Sequence, residues 1–275
     1  MSTIALNSVR IPETNGALWL DALEDSGLPV ELDVPWSLLR QPASEEERWR
    51  KSGLRLITVR DIIDPRTGRY LEDLHGKALT QVIDAAVAAV SRCREFGGRH
   101  VTLDLGMEHL DLHHANESLF ANRLLLLNKV CPVAEEKGLV VCMPVRVPSD
   151  APGADGSRMA ANLIYEAGFK HFRVCLNVFP NDLPSGLDAK NLLRKTASLT
   201  AVICLFYSPC LGEELSENDL KDLVRAAKWH NFSGCVTLAP EGVPDSQIPK
   251  TCHQLAEVVD LLRTTNASLA SEPDN

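Results

Sequence analysis

The sequence lacks the short motifs that mark nucleotide-binding and membrane proteins. It contains neither GxGxxG nor GxxxxGK[ST], the glycine-rich loops that hold the phosphates of nucleotides. No apolar run approaches the ~18–20 residues that a membrane-spanning helix needs. The N-terminus, MSTIALNSVR, has no basic segment followed by a long apolar stretch. We therefore expect no signal peptide, a cytoplasmic location and no membrane partner.

Cysteine is present but is not arranged in pairs. The eight cysteines form no CxxC motif, and most lie within apolar strand or helix patterns. Free cysteine behaves as a small apolar side chain, so we expect buried, reduced thiols rather than a zinc site. The formal net charge is -9. A surface of that sign repels phosphate backbones, and we expect no nucleic-acid partner.

What the sequence does contain is a repeated helix–strand unit, which is clearest between residues 78 and 106. Apolar residues recur there at steps of three and four and form one stripe of a helix, which Gly97 and Gly98 end. The residues of this predicted stripe are Val82, Ala85, Ala86, Ala89, Val90 and Cys93. HVTLDLG follows, a short β-type run that ends in an acid and a glycine. Similar units continue along the chain, from a first strand at Ile4–Leu6 to AVICLF and GCVTLA near the end.

Eight such units in about 265 residues predict the fold. We expect an α/β protein that forms a single (β/α)8 TIM barrel over residues 1–266, followed by a polar, disordered tail at residues 267–275. An open, doubly wound sheet is the alternative, but it would usually carry a nucleotide-binding glycine motif. We also expect a long functional loop over Ile62–Gly76 and a helix kink at Pro132.

Three segments carry a resemblance to a known family. They are the helix–GG–strand–G pattern at strand four, AEEKGLVVCMPV at strand five, and LSENDLKDLVRAAKWHNFSGCVTLAPE at strand eight. From about Pro29 to Arg263 the chain resembles the xylose isomerase-like TIM barrels, which include sugar and sugar phosphate isomerases, epimerases and endonuclease IV relatives. The resemblance implies a barrel that binds a sugar-like small molecule. The fold hosts many reactions, so it implies less about the chemistry.

The resemblance also implies a divalent metal at the carboxyl end of the barrel, but the metal ligands do not carry over. The residues that stand where the resemblance places those ligands are Pro144 on strand five, Asn177 on strand six, Cys204 or Phe206 on strand seven, and Ala239 on strand eight. Without the acids, a buried divalent cation loses the anionic ligands that offset its charge. We therefore expect no metal and no other cofactor.

Polar residues remain near the ends of the predicted strands, where TIM-barrel chemistry lies. Asp104 after strand four and Glu241 after strand eight are the candidate catalytic bases. The candidate substrate-binding residues are Glu31, Arg60, Asp61, Arg146, Asn177 and Tyr207. Of these, Glu31 in VELDV resembles the family's strand-two Glu that faces the barrel.

The charged candidates each have a structural alternative. Asp61 and Asp104 equally fit helix caps or partners of a neighbouring arginine. Arg60 and Arg146 equally fit ion pairs with acids inside the barrel. The functional interpretation is that the two arginines clamp a carboxylate or phosphate, which suits guanidinium geometry.

Three functional hypotheses follow. The first is a metal-independent, isomerase- or epimerase-like enzyme acting on a small sugar, sugar phosphate or hydroxy acid. The second is a non-catalytic barrel that serves as a ligand sensor or protein scaffold, with homo-oligomerisation left open. The third and least favoured is a rearranged metal site, with ligands drawn from Glu31, Asp104, His109 and Glu241. We interpret His109, His113 and His114 as surface residues of a polar loop.

Overall fold

A computed structural model of the chain describes residues 5–27, 31–40, 54–106, 120–146, 156–179, 193–194, 197–209 and 216–270. The polar loop with His109, His113 and His114 lies outside the described residues. The fold and the site below are built from the described residues.

Eight parallel strands close into a barrel in the order of the chain, with β8 paired to β1. The strands are β1 Ala5–Arg10, β2 Glu31–Pro35, β3 Arg55–Arg60, β4 His100–Thr102, β5 Val140–Arg146, β6 Phe172–Val178, β7 Thr200–Tyr207 and β8 Cys235–Pro240. The prediction of a single (β/α)8 TIM barrel is confirmed.

Helices follow the strands and pack on the outside of the barrel. Those described are α1 Gly16–Ser26, α2 Trp36–Leu39, α3 Pro65–Arg69, α4 Gly76–Cys93, α5 Ala121–Glu136, α6 Gly156–Ala167, α7 Glu217–Trp229 and α8 Ile248–Ala270, with 3-10 turns at Leu71–Asp73 and Asp245–Gln247. Among these elements, none combines the length and the apolar character that crossing a membrane requires.

Four residues of the apolar stripe predicted for the central helix, Ala86, Ala89, Val90 and Cys93, are buried in α4, whereas Val82 is half-buried and Ala85 is exposed. The buried residues of α4 are Leu79, Ile83, Ala86, Ala89, Val90 and Cys93, which face the outer side of the strands. The chain then turns through Gly97, whose φ of 86° is left-handed, and the N–H of Gly98 donates to the carbonyl of Cys93 at 3.1 Å. This turn brings the chain directly into β4.

Several boundaries differ from the predictions. β1 continues to Arg10, whereas the predicted strand ended at Leu6. The prediction was too short because the inward residues Ser8 and Arg10 are polar and interrupt the apolar pattern by which a strand is recognised in a sequence. The long loop before α4 contains the short helix α3 and a 3-10 turn. α5 contains Pro132 and ends at Glu136, so the helix predicted to include this proline is confirmed. α8 extends to Ala270, so residues 267–270, predicted as tail, are helical, while residues 271–275 lie outside the described part.

Candidate functional site

The inward faces of β1 to β4 are polar and charged. A TIM-barrel interior is normally filled by branched apolar side chains, so this composition marks one side of the barrel as unusual. The inward positions, read from the strand register, are Ser8, Arg10, Glu31, Asp33, Thr58, Arg60, His100 and Thr102. We call this set the charged half of the barrel.

Asp33 is the centre of the charged half, between two arginines. Its carboxylate is fully buried and accepts a hydrogen bond from Nε of Arg10 at 2.6 Å. Nη1 of Arg60 lies 3.6 Å from its other oxygen and donates to its backbone carbonyl at 3.1 Å. Nη2 of Arg60 donates to the carbonyl of Ile11 at 2.5 Å. A buried carboxylate held by two guanidinium groups is compensated and rigid.

Asp61 follows directly after β3 and has a left-handed backbone, with φ at 57°. Its N–H donates to Oγ1 of Thr102 at 3.2 Å, and its carboxylate lies 3.2 Å from Nε of Arg60. Its side chain is 34% exposed, so this carboxylate reaches solvent at the carboxyl end of the barrel. A non-glycine residue in this conformation is uncommon, and such strain concentrates at functional sites.

Burial and charge pairing act against each other on the pKa values of these groups. Burial lowers the pKa of Arg60, and the attraction of Asp33 offsets this only in part. Burial is also the largest single influence on Arg10 and acts to lower its pKa, but Asp33, Cys204 and Cys175 together outweigh burial and the pKa of Arg10 is raised. Burial raises the pKa of Asp61 despite the nearby Arg60. Both arginines carry a positive charge at neutral pH, because a guanidinium group stays protonated in proteins.

The inward faces of β5 to β8 are largely apolar. Cys142, Cys175, Val202, Cys204, Phe206 and Ala239 form one buried cluster there, which we call the apolar half of the barrel. The ring of Phe206 stacks on that of Phe179 at 4.4 Å, and the guanidinium of Arg10 lies 5.0 Å from the centre of the Phe206 ring. Burial raises the pKa of the three thiols, which keeps them protonated and unreactive.

The positions that the resemblance assigned to metal ligands lie in or beside the apolar half. All of them face into the barrel: Pro144, Asn177, Cys204, Phe206 and Ala239. They provide no carboxylate. Among the described residues, no group of three or more His, Cys, Asp or Glu side chains is placed to hold a metal ion. The donor set at these positions does not fit a hard divalent cation.

A cavity of about 540 Å3 opens where the charged and apolar halves meet, beside the ends of β8 and β1. Arg10 and Arg60 line it together with the apolar side chains of Trp19, Phe206 and Ala239. Glu13 and Glu241 are exposed and also line it. Its size is that of a site for a small molecule, and its combination of apolar walls with a few polar groups is typical of one.

Arg60 and Glu241 are the predicted site residues that line this cavity in the described part of the chain. Glu31 faces into the barrel, but it begins β2 and lies two residues below Asp33, with Oε1 3.5 Å from Nη1 of Arg55. It is therefore at the floor of the barrel rather than at the mouth. Tyr207 is buried on the outer face of β7, where it packs in the core shared with the helices. The structure does not bring these two side chains to the cavity.

Asp104, Arg146 and Asn177 lie at the mouth but away from the cavity lining. Asp104 is half-buried after β4 and accepts a hydrogen bond from the N–H of Gly106 at 2.7 Å. Arg146 ends β5 beside Asn177, and its guanidinium lies 4.4 Å from the centre of the Phe179 ring. The second arginine of the cavity lining, beside Arg60, is therefore Arg10. Arg146 lies on the opposite side of the barrel, at the end of β5.

Sequence reasoning missed Arg10 and Phe206. The signal for Arg10 was present, because Ser8 and Arg10 alternate with Val9 and Ile11 as the inward and outward residues of a half-polar strand do. Phe206 was considered as the stand-in for a metal ligand. Its contact with Arg10 joins residues distant in sequence, which no local pattern reveals.

No family model matches the chain, and no curated protein matches it. Solved structures do match. D-psicose 3-epimerase with D-tagatose from Clostridium cellulolyticum H10 has a TM-score of 0.67 and 12% identity, and the alignment covers 97% of this chain and 99% of that one. The apo form of 3-keto-D-glucoside 4-epimerase from E. coli has a TM-score of 0.62 and 15% identity, with 96% and 100% covered.

A third solved structure has a different kind of activity in its name. AP endonuclease, family 2, from Brucella melitensis has a TM-score of 0.58 and 16% identity, with 90% of this chain and 96% of that one covered. At such identities the likeness concerns the fold, which sugar epimerases and an endonuclease share. The chain therefore has the fold of the xylose isomerase-like TIM barrels, as its sequence segments indicate.

Proposed function

We propose that this barrel binds a small, sugar-like anion in the cavity beside β8 and β1 and acts on it as an isomerase- or epimerase-like enzyme without the family's metal. The observation that carries the proposal is Arg10. Its Nε is held by buried Asp33, its guanidinium lies over Phe206, and it lines the cavity. A fixed guanidinium at a cavity of ligand size is a ready anion-binding group.

The neighbouring residues have roles that follow from their positions. Arg60 fixes Asp33 and adds positive charge at the same wall. Glu241, exposed at the rim, is the proposed base that removes a proton from the carbon next to a carbonyl. Arg10 holds the anionic group of the ligand, and this contact fixes the reacting carbon beside Glu241. Asp61 and Asp104 are the second choice for proton transfer, because they lie at the mouth beyond the described cavity lining.

The fold likeness supports the sugar-like ligand, since two of the similar structures are named as sugar epimerases. We further propose a cytoplasmic location, which accords with the seven described cysteines, all of them buried and unpaired.

A thermal-shift screen tests this function. Sugars, sugar phosphates and hydroxy acids are added one at a time, each with EDTA and with Mn²⁺. A ligand at 100 times its Kd stabilises the folded state by about 2.7 kcal/mol, which such a screen detects. We expect a shift that EDTA does not abolish and that Glu241→Gln retains while losing turnover. A shift seen with Mn²⁺ alone would contradict the metal-free site.

A second candidate is a non-catalytic barrel that senses a ligand or serves as a protein scaffold. The observation that favours it is the apolar half, where Phe206 and Ala239 occupy the positions of the implied metal ligands. Binding without turnover of any ligand found in the screen would support this candidate over the enzyme.

A further inference from the structure

We infer that the ligand presents a single carboxylate to Arg10, so that its class is a sugar acid or polyhydroxy acid rather than a sugar phosphate or a neutral sugar. The inference rests on the proposed function, because it names the ligand class of the same cavity. It is carried by the hydrogen-bond donors, the charge and the walls of that cavity.

The donors of the two arginines differ. Arg60 uses all three of its nitrogens: Nη1 and Nη2 donate to the carbonyls of Asp33 and Ile11, and Nε pairs with Asp61. Arg10 uses Nε for Asp33, and within the described part of the chain its Nη1 and Nη2 have no hydrogen-bond partner. These two nitrogens form the end of a planar fork. A fork of two parallel N–H groups matches the two oxygens of one carboxylate.

The charge around the cavity argues against a dianion. Its ionisable lining side chains in the described residues are Arg10, Arg60, Glu13 and Glu241, whose formal charges cancel. The two arginines are further neutralised by Asp33 and Asp61. A phosphate monoester carries about -2 at neutral pH and needs surplus positive charge or several backbone N–H groups. A carboxylate carries half of that charge and needs one guanidinium fork.

The neighbouring residues Phe206 and Asp33 fix the Arg10 side chain in the position needed to bind a carboxylate. One face of its guanidinium lies over Phe206, which itself stacks on Phe179. Nε is fixed at 2.6 Å from the buried carboxylate of Asp33. A side chain fixed on two sides loses little conformational entropy when a ligand binds.

The polarity of the cavity sets the direction of the ligand. Arg10 has a side chain only 14% exposed and lies deep, whereas Glu13 and Glu241 are exposed at the rim. A carboxylate therefore enters first, and the hydroxyl groups of the ligand donate hydrogen bonds to the acids of the rim. The carbon next to Glu241 is then several bonds away from the carboxylate that Arg10 binds.

The test is a matched set of probes that differ in one group: gluconate, glucose 6-phosphate and glucose. Affinities are measured by calorimetry at neutral pH, constant ionic strength and with EDTA. We expect gluconate to bind at least tenfold more tightly than the other two. Arg10→Lys keeps the charge but removes the fork, and we expect it to weaken gluconate at least tenfold while the exposed control Arg225→Lys changes nothing.

Phe206→Leu keeps both the charge and the fork but removes the aromatic support, and we expect a several-fold weaker affinity for gluconate. If Arg10→Lys fails to fold, the Phe206→Leu variant and the comparison of the three probes still test the carboxylate inference. Tighter binding of glucose 6-phosphate would overturn the carboxylate inference and leave the proposed function standing. Equal binding of glucose would overturn the carboxylate inference and also the anionic ligand of the proposed function. If no sugar, sugar phosphate or hydroxy acid shifts the melting temperature in the thermal-shift screen, both the carboxylate inference and the proposed function are overturned.

Discussion

His100 is the residue whose titration should most clearly affect stability. It faces the floor of the barrel from β4, and its Nδ1 is buried without a hydrogen-bond partner among the described residues. Burial, and then the charge of Arg99, lower the pKa of His100 from 6.5 to about 4. The folded state thus keeps His100 neutral while the unfolded chain already binds a proton.

The sign of the pH dependence follows from this difference. The contribution of His100 is complete above the unfolded pKa of 6.5 and is lost as the pH falls toward about 4. We expect the free energy of unfolding to fall by about 2–3 kcal/mol over that pH interval because of His100. Urea unfolding at several pH values measures it as the difference between wild type and His100→Gln. The exposed His75→Gln serves as control, and equal pH slopes in wild type and His100→Gln would contradict the assignment.

The predicted site residues show what a sequence reveals at the scale of single side chains. Arg60 was placed correctly at the mouth, because it ends an unmistakable strand of β-branched residues. Tyr207 was not brought to the cavity, because neighbouring residues of a strand face opposite sides and Phe206 takes the inward position. Strand ends can be predicted from composition, but the inward or outward direction depends on register across the barrel.

At the scale of elements, the loop between β3 and α4 is bound to α5 by buried Arg123 and by Asn122, whose Nδ2 donates to the carbonyls of Leu71 and Leu74. Arg123 is 1% exposed, its Nε donates to the carbonyl of Leu105 at 2.8 Å, and its Nη1 pairs with Glu72. We expect Arg123→Met to lower the free energy of unfolding by about 3–5 kcal/mol, because it removes the cation that pairs with Glu72 and the donor to the carbonyl of Leu105.

Chemical denaturation of the variant measures that loss. The control is Arg225→Met, which breaks the exposed pair with Asp222 on α7 and should cost less than about 1 kcal/mol. Similar losses in both variants would show that Arg123 does not fasten the loop.

The same loop approaches β4 so closely that it requires glycine. A Cβ on Gly68 would lie 2.2 Å from the carbonyl oxygen of Asp104, a backbone atom that cannot move aside cheaply. We expect Gly68→Ala to lower the free energy of unfolding by about 3 kcal/mol. At Gly27 the backbone is left-handed with φ at 64°, but nothing lies within 4 Å of an added Cβ.

Gly27→Ala should therefore lower the free energy of unfolding by only about 1 kcal/mol, which is the strain of a left-handed backbone at alanine. Urea unfolding of the two alanine variants side by side separates the steric contact from the conformational effect. A smaller loss at Gly68 than at Gly27 would mean that α3 moves away from β4 without cost.

At the scale of the whole molecule, the fold could be predicted because its signal is repeated. Four of the described helices, α1, α4, α5 and α6, are followed by a glycine with a left-handed backbone, so an error in one unit does not change the count. These glycines are Gly27, Gly97, Gly138 and Gly168. The site has no such repetition. Arg10, Asp33 and Arg60 come from three strands, and their meeting follows from barrel closure rather than from any local pattern.

The division of the barrel into two halves yields the last prediction, which concerns metal. In the described residues the acids of the interior lie in the charged half, where Asp33 is already paired with Arg10 and Arg60. The apolar half offers thiols, whose pKa values burial raises, and Asn177. A divalent cation placed between the halves would meet two guanidinium charges and, within the described part of the chain, no unpaired inward carboxylate at that level of the barrel.

We therefore expect protein dialysed against Mn²⁺ and then against metal-free buffer to retain much less than one equivalent, measured by mass spectrometry of the metal. The melting temperature should be the same with Mn²⁺ and with EDTA, because a metal bound to the folded state alone would raise it. One retained equivalent would contradict the metal-free site. Repeating the measurement on Glu241→Gln and on His109→Gln would then show whether the rim acid or the polar loop supplies the ligands of a rearranged site.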